Sequence, residues 1–333
     1  MPAFAPFRSF LPSRALAATC LLAASMGTAL AQGYPTKPVT VIVPFGAGGG
    51  VDATARLITP KLGEALKQSV VIENVAGAAG TIGTQRVARA PADGYTLLFA
   101  VASPLNVAPL VAPSAVRYDT FKDFAPIATI GVAPFVLIGK SALPANTMAD
   151  LIKLARSQPG RLNFGTDGVG TSLHITAELI KQRAGIDIVH VPYKSGPQVL
   201  TDVAGGQVDL AVLPLSLAQP FIKDGKVKAY GVTSLARAAS APAIPALTET
   251  PELKGLEMDS WLGLLAPTGT PPAVMDALVK AVDVALKDPE VVRKLGDIAV
   301  KPQVTTGAAF ATYLQNERKM IADVVGKAGI KAE

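Results

Sequence analysis

The sequence predicts an α/β protein with two sheets that are joined by two crossing segments. First, short β-branched and apolar runs alternate with helical patterns, which is typical of mostly parallel sheets. Second, this alternation occurs before residue 130 and again between residues 135 and 233. Third, a helical block at the C-terminus has no sheet of its own. We expect this block to pack on the first unit, which makes the first domain discontinuous and the second an insertion.

The first 31 residues have the three parts of an export signal. Arg8 and Arg14 provide a positive start, residues 15–30 are apolar, and an A-x-A cleavage site ends at Ala31. An uncleaved membrane anchor is the alternative, but the apolar part is shorter than the roughly 20 residues of a spanning helix. Cys20 offers a lipidation site, but no Gly, Ala or Ser stands directly before it. We therefore expect cleavage after Ala31 and a periplasmic protein.

The remaining 302 residues contain no cysteine, which excludes disulfides, thiolate metal sites and a cysteine nucleophile. Their formal net charge is +4, and the basic residues are scattered. Few aromatic residues are available to stack on bases, so nucleic acid is not expected as a partner. The longest apolar stretch, Phe124–Gly139, contains Pro126 and Pro134 and favours buried strands over a membrane helix.

The first unit is predicted at residues 32–132. Its strands are β-branched runs, and its helices are the longer stretches between them. We expect strands at Val39–Val43, Ser69–Glu73 and Tyr95–Val101, and helices at Val51–Lys67 and Ile82–Ala90.

The second unit is predicted at residues 133–252 and repeats this plan. Thr147 can cap its first helix, Pro159-Gly160 can end that helix, and Gly185 can end the next one. We expect helices at Met148–Ser157, Ser172–Ala184 and Pro197–Ala204, and strands at Phe135–Ile138, Arg161–Phe164, Asp187–Val191, Val208–Leu213 and Val227–Thr233.

Residues 253–333 are predicted to return to the first domain. A strand is expected at Trp261–Ala266, and three helices follow it. Pro271-Pro272 and Asp288-Pro289-Glu290 are typical helix starts, and Thr306 is a typical N-cap.

A glycine-rich turn, Pro44–Asp52, joins the first strand to a helix. Backbone N–H groups converge in such a turn, so it can bind an anion such as a carboxylate. The candidate contacts are Phe45, Ala47, Gly48 and Gly49. A tight turn that needs glycine only for positive φ is the alternative, but three consecutive glycines exceed that need.

Residues Gly48 to Ala53 also fit the dinucleotide fingerprint G-x-G-x-x-A, and Glu73 lies where an acid that binds ribose is expected. Asp52 disfavours this interpretation because it lies at the helix start, where a pyrophosphate binds. Export also removes the chain from the supply of nicotinamide cofactors. We therefore expect no cofactor.

Three further loops follow predicted strands, where open α/β sheets bind their ligands. Ser103 and Asn106 can bind a ligand or their own backbone. The loop 165–172 offers hydroxyls beside helix N–H groups, which suits a second carboxylate. Lys194 can supply a positive charge near the cleft. The candidates of the loop 165–172 are Thr166, Gly168, Gly170, Thr171 and Ser172.

Catalytic and metal-binding residues are scarce. His174 and His190 are the only histidines, and neither has a partner at a spacing such as H-x-x-x-H. We expect packed or surface histidines and no metal site. A triad of Ser172, His190 and an acid can be written, but no G-x-S-x-G elbow is present. A hydrolase-like periplasmic enzyme that uses the same cleft is the alternative to a binding protein.

An ordered set of motifs along nearly the whole of the chain resembles the substrate-binding proteins of tripartite tricarboxylate transporters, also called the Bug family. Each motif alone is weak, but the ordered set is specific. The motifs are Tyr34-Pro35-Thr36-Lys37-Pro38-Val39, Pro44-Phe45 with Asp52 and Arg56, Glu73-Asn74 with Gly77 to Gly83, Asp93-Gly94-Tyr95-Thr96-Leu97-Leu98, Lys122-Asp123-Phe124, His190-Val191-Pro192-Tyr193-Lys194, Gly205-Gly206-Gln207-Val208-Asp209, Val232-Thr233-Ser234, Trp261-Leu262-Gly263-Leu264 and Ala328-Gly329-Ile330-Lys331.

This resemblance implies a two-domain periplasmic binding protein fold of type II-like plan that closes over a small organic acid. It also implies that the acid is handed to the permease subunits of a tripartite tricarboxylate transporter. In this family, backbone N–H groups, hydroxyls and ordered waters hold the ligand carboxylate. We expect a monomer that binds its ligand without catalysis.

The sequence departs from the family pattern at two places. Asn106-Val107-Ala108-Pro109 replaces the usual Asn-Pro, which affects the loop after Ser103. Leu213 stands where members that bind amino acids often have Asp, so no partner for a ligand ammonium is expected. The resemblance therefore favours a carboxylate without an amino group, such as a dicarboxylate or an aromatic acid.

Overall fold

The computed structural model describes Met1 and residues 33–331. The predicted export signal, its cleavage site and Cys20 lie outside the described residues. The chain divides into a short unit, Met1–Thr36, and a compact unit, Lys37–Glu333, which contains every helix and strand below. Within residues 33–331, no helix is both long enough and apolar enough to cross a membrane.

Strands and helices alternate in the first part of the chain, and a π-helical turn, Ser103–Val107, follows the third strand. In chain order the elements are β1 (Val39–Val43), α1 (Gly50–Leu66), β2 (Val70–Asn74), α2 (Thr81–Ala88), β3 (Thr96–Ala100), α3 (Ala108–Val111) and β4 (Phe124–Ala133).

The middle of the chain repeats the alternation. Its first helix begins with a capping box, in which Thr147 and Asp150 satisfy each other's backbone N–H groups. The elements are β5 (Phe135–Lys140), α4 (Met148–Ser157), β6 (Asn163–Thr166), α5 (Ser172–Ala184), β7 (Val189–Pro192), α6 (Gly196–Ala204), β8 (Leu210–Pro214), α7 (Leu215–Lys223) and β9 (Val227–Val232).

The C-terminal part contains one long strand and three helices, as predicted. Asp288 caps the second of these helices by accepting from the N–H groups of Glu290 and Val291. The elements are β10 (Ser260–Pro267), α8 (Pro272–Lys287), α9 (Pro289–Asp297), β11 (Lys301–Pro302) and α10 (Gly307–Ala328).

The strands form two sheets. The first has the order β11-β4-β10-β3-β1-β2, and the second has the order β7-β6-β8-β5-β9. In the first sheet β1 runs parallel to β2 and β3, and in the second β6 runs parallel to β7 and β8. The carboxyl ends of β1, β2 and β3 therefore share one edge, and those of β6, β7 and β8 share another.

The predicted α/β class with two sheets is confirmed, but the prediction that the sheets are mostly parallel is wrong. Strand β10 is antiparallel to both β3 and β4, and β5 is antiparallel to both β8 and β9. Both antiparallel strands continue from segments that cross between the sheets. Their direction is set by where the chain returns, and this information is not present in the local hydrophobic pattern.

Two adjacent segments connect the sheets. On one side only Pro134 separates β4 from β5. On the other side the hydroxyl of Thr233 accepts from the N–H of Phe135 at 3.0 Å and donates to Asp259 Oδ1 at 2.9 Å. Burial raises the pKa of Asp259 to about 6, although the Thr233 hydrogen bond opposes the shift. The crossing segments are thus tied together by a buried polar contact.

Two apolar clusters among the described residues pack on opposite sheets. One lies on the first sheet and includes Trp261 and Phe310, whose rings meet edge to face at 5.3 Å. The larger cluster covers the second sheet but also takes in Val111 of α3 and Ile321 of α10. Helix α8 packs on α1, as expected, and α10 packs on both β4 and α5. Apolar packing through α3 and α10 therefore connects the two sheets.

Candidate functional site

Polar loops follow parallel strands of both sheets and meet at one place. Ser103, just after β3, has its hydroxyl oxygen 3.0 Å from the hydroxyl oxygen of Ser172, the first residue of α5. The Ser172 N–H also points to the Ser103 oxygen, at 3.4 Å. Gly170 lies directly against Val111, because a Cβ added there would overlap that side chain. The candidate loop after β3, called the second loop, and the candidate loop 165–172, called the third loop, are therefore in contact.

The glycine turn after β1 is held by a carboxylate of its own chain. Asp52 is buried, and its Oδ2 accepts from the Gly48 N–H and from Arg56 Nε, both at 2.8 Å. Asn74 Nδ2 donates to Asp52 Oδ1 at 2.9 Å and to the Phe45 carbonyl at 3.1 Å. Burial raises the pKa of Asp52, but the hydrogen bonds from Arg56, Gly48 and Asn74 outweigh burial and lower it overall. The Gly48 N–H is consequently not available to a ligand.

Other N–H groups of this turn remain available. Ala47, Gly49 and Gly50 are exposed, and the N–H groups of Ala47 and Gly50 donate to no acceptor within the described residues. Gly48 has φ +81° and so needs glycine, whereas Gly49 has φ −76°, and a Cβ there would be in ordinary contact with the Gly46 carbonyl oxygen at 3.6 Å. The turn requires glycine at Gly48, and the bare backbone at Gly49 leaves room for an approaching group.

Sequence reasoning missed a second unusual turn, which follows β2. Gly77, Ala78, Ala79 and Gly80 all have positive φ, including 45° and 54° at the two alanines. A Cβ at Gly80 would lie 3.1 Å from the Phe45 ring and 3.3 Å from Pro104, so this turn packs on the loops after β1 and β3. Alanines in left-handed backbone are rare and concentrate at functional sites. The two glycines in a short loop were the only sequence signal for it.

Asn106 lies behind the second loop. It is fully buried, and its amide nitrogen donates to the Leu314 carbonyl at 3.0 Å and to Glu317 Oε2 at 2.6 Å. Arg318 Nε donates to its oxygen at 3.3 Å. Every polar group of the Asn106 side chain is therefore used within the protein. The residue supports the π-helical turn from within and has no free polar group for a ligand.

Glu317 is the buried centre of this network. Trp261 Nε1 donates to both of its oxygens at 2.8 Å, and Asn106 adds a third hydrogen bond. Burial raises the pKa of Glu317 to about 7, and the hydrogen bonds from Asn106 and Trp261 oppose that shift. No local pattern indicates this network, because Glu317 lies on α10, 211 positions beyond Asn106.

The third loop is shaped by its own hydroxyls. Thr171 caps α5 by accepting from the His174 N–H at 3.3 Å, and its hydroxyl contacts the Gly168 carbonyl at 3.2 Å. The hydroxyl of Thr166 is fully buried and donates to the same carbonyl at 3.1 Å. Thr166 and Thr171 therefore fold the loop, while Ser172 remains at its surface beside Ser103.

Asp167 introduces a carboxyl group into this loop. Its Oδ1 is shielded from solvent and has no hydrogen-bond partner among the described residues. Burial raises the pKa of Asp167, although a hydrogen bond from Thr171 opposes the shift. A carboxyl group that is shifted toward its neutral form repels a bound anion less than an ordinary aspartate.

Two further residues from the sequence analysis belong to β7 and the loop after it: His190 lies on β7, and Lys194 follows it. Lys194 is exposed and forms no ion pair within the described part of the chain, and the N–H of its neighbour Tyr193 donates to the Thr166 carbonyl at 2.9 Å. His190 Nε2 lies 2.7 Å from the Thr166 hydroxyl rather than at Ser172. The triad that could be written from the sequence therefore has its histidine committed to another hydroxyl. Residues 33–331 contain no group of three or more potential metal ligands.

A family model described as "Tripartite tricarboxylate transporter family receptor" matches residues 54–330. The Bordetella pertussis protein BugT is 32% identical over 325 residues, which cover 96% of this chain and 98% of BugT. A UPF0065 protein from the tcbD-tcbE intergenic region of Pseudomonas sp. strain P51 is 36% identical over 280 residues, covering 83% of this chain and 81% of the relative.

Solved structures of related proteins are also similar to this chain. An R. palustris protein with adipate superposes with a TM-score of 0.81 at 33% identity and covers 90% of this chain and 99% of its own. MatC from Rhodopseudomonas palustris with bound malate has a TM-score of 0.77 at 32% identity, with coverages of 88% and 100%. The periplasmic binding protein BugD has a TM-score of 0.78 at 32% identity, with coverages of 90% and 100%.

Proposed function

Since the chain belongs to the tripartite tricarboxylate transporter receptor family, whose members are solute-binding receptors rather than enzymes, we propose that it binds a small organic carboxylate between its two sheets in the periplasm. It then delivers the acid to the permease subunits of a tripartite transporter. The proposed domains are residues 32–132 with 253–333, and the inserted residues 133–252. The proposed receptor acts as a monomer.

The contact between Ser103 and Ser172 is the observation that best supports this proposal. Their hydroxyl oxygens are 3.0 Å apart and come from loops of different sheets. A ligand oxygen placed between these loops can accept from both hydroxyls, and the positive end of the α5 dipole favours negative charge there. A group that both loops bind favours the arrangement in which the sheets approach each other.

The proposed carboxylate contacts are mainly neutral donors. Each such hydrogen bond to a charged acceptor contributes about 1.5 to 3 kcal/mol, so several are needed for micromolar affinity of about −8 kcal/mol. Five residues shape the site from behind, because their polar groups are used within the protein: Gly48, Asn106, Thr166, Gly170 and Thr171. The proposed direct contacts are Phe45, Ala47, Gly49, Ser103, Gly168, Ser172 and, as the single cation, Lys194.

A dicarboxylate is the ligand class that suits this arrangement. The exposed N–H groups of the glycine turn and the start of α5 are two separate places for an anionic group. The related structures with adipate and malate contain dicarboxylic acids. Leu213 is fully buried and apolar, so it supplies no partner for a ligand ammonium.

A thermal-shift screen tests the proposed function. The acids are adipate, malate, benzoate and, as an amino acid control, aspartate. A ligand at about 100 times its dissociation constant adds about 2.7 kcal/mol of stability, which raises the melting temperature measurably. We expect a dicarboxylate to stabilise the protein and aspartate to have no effect. Small-angle scattering with the stabilising acid should then show compaction, and a screen without any stabilising carboxylate would contradict the proposal.

A further inference from the structure

Beneath the third loop lie the two histidines, stacked on each other. The rings of His174 on α5 and His190 on β7 have centroids 3.8 Å apart and are inclined by only 16°. The ring of Phe164 on β6 stacks on His190 in turn, at 4.9 Å. His174 is nearly fully buried. The stack therefore fills the space between the loop and the second sheet.

Each histidine makes one hydrogen bond to the loop. His190 Nε2 lies 2.7 Å from Thr166 Oγ1, at the loop's beginning. The Gly170 N–H donates to His174 Nδ1 at 3.1 Å, near the loop's end. The loop between these points contains Asp167, Gly168 and Val169, and Ser172 begins the next helix.

The hydrogen-bond pattern fixes the tautomer of His174. The Gly170 N–H donates to His174 Nδ1, so the proton of the neutral ring is on Nε2, facing Glu178 Oε1 at 3.8 Å. His190 Nε2 shares a hydrogen bond with the Thr166 hydroxyl, in which either atom can be the donor. Each ring thus presents one polar atom to the loop: Nε2 of His190 at Thr166 and the acceptor Nδ1 of His174 at Gly170.

From this geometry we propose that the stacked His174–His190 pair positions the third loop. The two rings hold Thr166 and Gly170 so that Ser172 faces Ser103. The proposal rests on the proposed function, because it assigns a purpose to the loop geometry. His174 and His190 do not touch the ligand. They act through the loop. Apolar side chains of equal size could fill the space but could not supply the polar atoms His174 Nδ1 and His190 Nε2.

The surroundings of the pair keep both rings neutral. On α5, Lys181 Nζ lies 2.8 Å from Glu178 Oε1 and 5.5 Å from the centre of the Phe164 ring, while Phe164 and Thr166 of β6 contact the stack. Burial lowers the pKa of His174 to about 3, with further lowering by His190 and Lys181. Burial and Lys181 lower the pKa of His190 to about 4. Both rings are therefore neutral near pH 7, where their hydrogen bonds to the loop do not depend on protonation.

Matched substitutions separate positioning from packing. His174→Asn keeps an acceptor near the position of Nδ1, whereas His174→Phe keeps only the ring. His190→Gln keeps a polar amide, with both a donor and an acceptor, near the position of Nε2, whereas His190→Phe again keeps only the ring. The first readout is hydrogen exchange of the Gly170 amide in the full-length protein without ligand. The second is calorimetry with adipate and malate as probes.

For His174→Phe we expect at least tenfold faster exchange at Gly170, with global stability retained, and about tenfold weaker binding of whichever probe binds the parent. His174→Asn should restore slow exchange and most of the affinity. Equal exchange in His174→Phe and the parent would overturn the positioning role. If neither probe binds the parent, the proposed function fails on its own, while the exchange experiment still decides the role of the histidines.

Discussion

The hydroxyl oxygens of Ser103 and Ser172 lie 3.0 Å apart and belong to loops that follow strands of different sheets. Each serine is short, so the contact requires the two loop backbones to approach closely. Gly170 makes that approach possible, because any side chain there would overlap Val111. The short distance between the two hydroxyl oxygens therefore shows that loops of the two sheets are in contact.

Ser103→Ala should weaken binding of the ligand about tenfold, since it removes one hydrogen bond to a charged acceptor, worth about 1.5 kcal/mol. Ser172→Ala should have a similar effect, and the double variant should lose less than the sum because the two hydroxyls share one partner. Calorimetry measures all three. Ser157→Ala, which removes an exposed hydroxyl at the end of α4, is the matched control and should bind like the parent.

Gly49→Leu should abolish measurable binding while the protein still folds. Gly49 has an ordinary backbone conformation, and a Cβ there would be in ordinary contact with the Gly46 carbonyl oxygen at 3.6 Å, so the leucine causes no strain but covers the N–H groups of the turn. Gly296→Leu, on α9 and in open space, is the control for a new exposed leucine. If Gly49→Leu binds as tightly as the parent, the glycine turn serves only as a turn.

Gly48→Ala should behave in the opposite manner to Gly49→Leu. Its φ of +81° penalises a side chain, so we expect a loss of about 1 kcal/mol in the free energy of unfolding. The Gly48 N–H already donates to Asp52, so ligand affinity should change little in the folded fraction. Chemical denaturation and calorimetry together test this separation, and unchanged stability would contradict it.

Glu317→Gln should change how stability depends on pH. The pKa of Glu317 is about 7 in the folded protein against 4.5 ordinarily, so between these values the folded state keeps a proton that the unfolded state has lost. Its contribution to the free energy of unfolding therefore falls as pH rises from 4.5 to 7, by up to about 1.4 kcal/mol per pH unit. Chemical denaturation at several pH values gives the free energy of unfolding of the parent and of Glu317→Gln. The difference between the two proteins gives the slope that Glu317 contributes.

Trp261 offers an independent measurement of the same group. It is the only tryptophan, and its indole nitrogen contacts both oxygens of Glu317. Tryptophan fluorescence should titrate with a midpoint near pH 7 in the parent and lose that transition in Glu317→Gln. Asp259, with a pKa of about 6, is the neighbouring alternative, and Asp259→Asn should retain the transition near pH 7.

Export can be tested by mass spectrometry of the protein from the periplasm. We expect an N-terminus at Gln32, with or without cyclisation of the glutamine, because the A-x-A site ends at Ala31. Ala31→Leu should block cleavage there and leave a longer chain. A mature protein that begins at a lipid-modified Cys20 would refute this expectation.

Sequence patterns predicted the elements whose ends have local signals. Helices Met148–Ser157 and Ser172–Ala184 were predicted with the observed bounds, because Thr147 and Thr171 cap their starts and Gly185 ends the second. The π-helical turn at Ser103–Val107 was missed, since its wider hydrogen bonding has no local sequence signature.

The candidate site was predicted less completely than the fold. Loops at strand ends were identified because the topology of α/β proteins places ligands there. The positions that hold these loops were not, because Asp52, Asn74, Glu317 and the two histidines act through partners distant in the sequence or through tertiary burial. Asn106 was predicted as a contact from its residue type, but its burial is set by α10, which lies about 200 residues later.

The carboxylate of Asp52 occupies a place at the start of α1 that an external anion would otherwise compete for. The turn therefore has its shape before any acid arrives, and binding need not organise it. The residues that set the shape of the turn can therefore differ from the residues that select the acid. A redesign toward a different acid can keep Asp52, Arg56 and Asn74 as a constant frame and vary only the loops that follow β3 and β6.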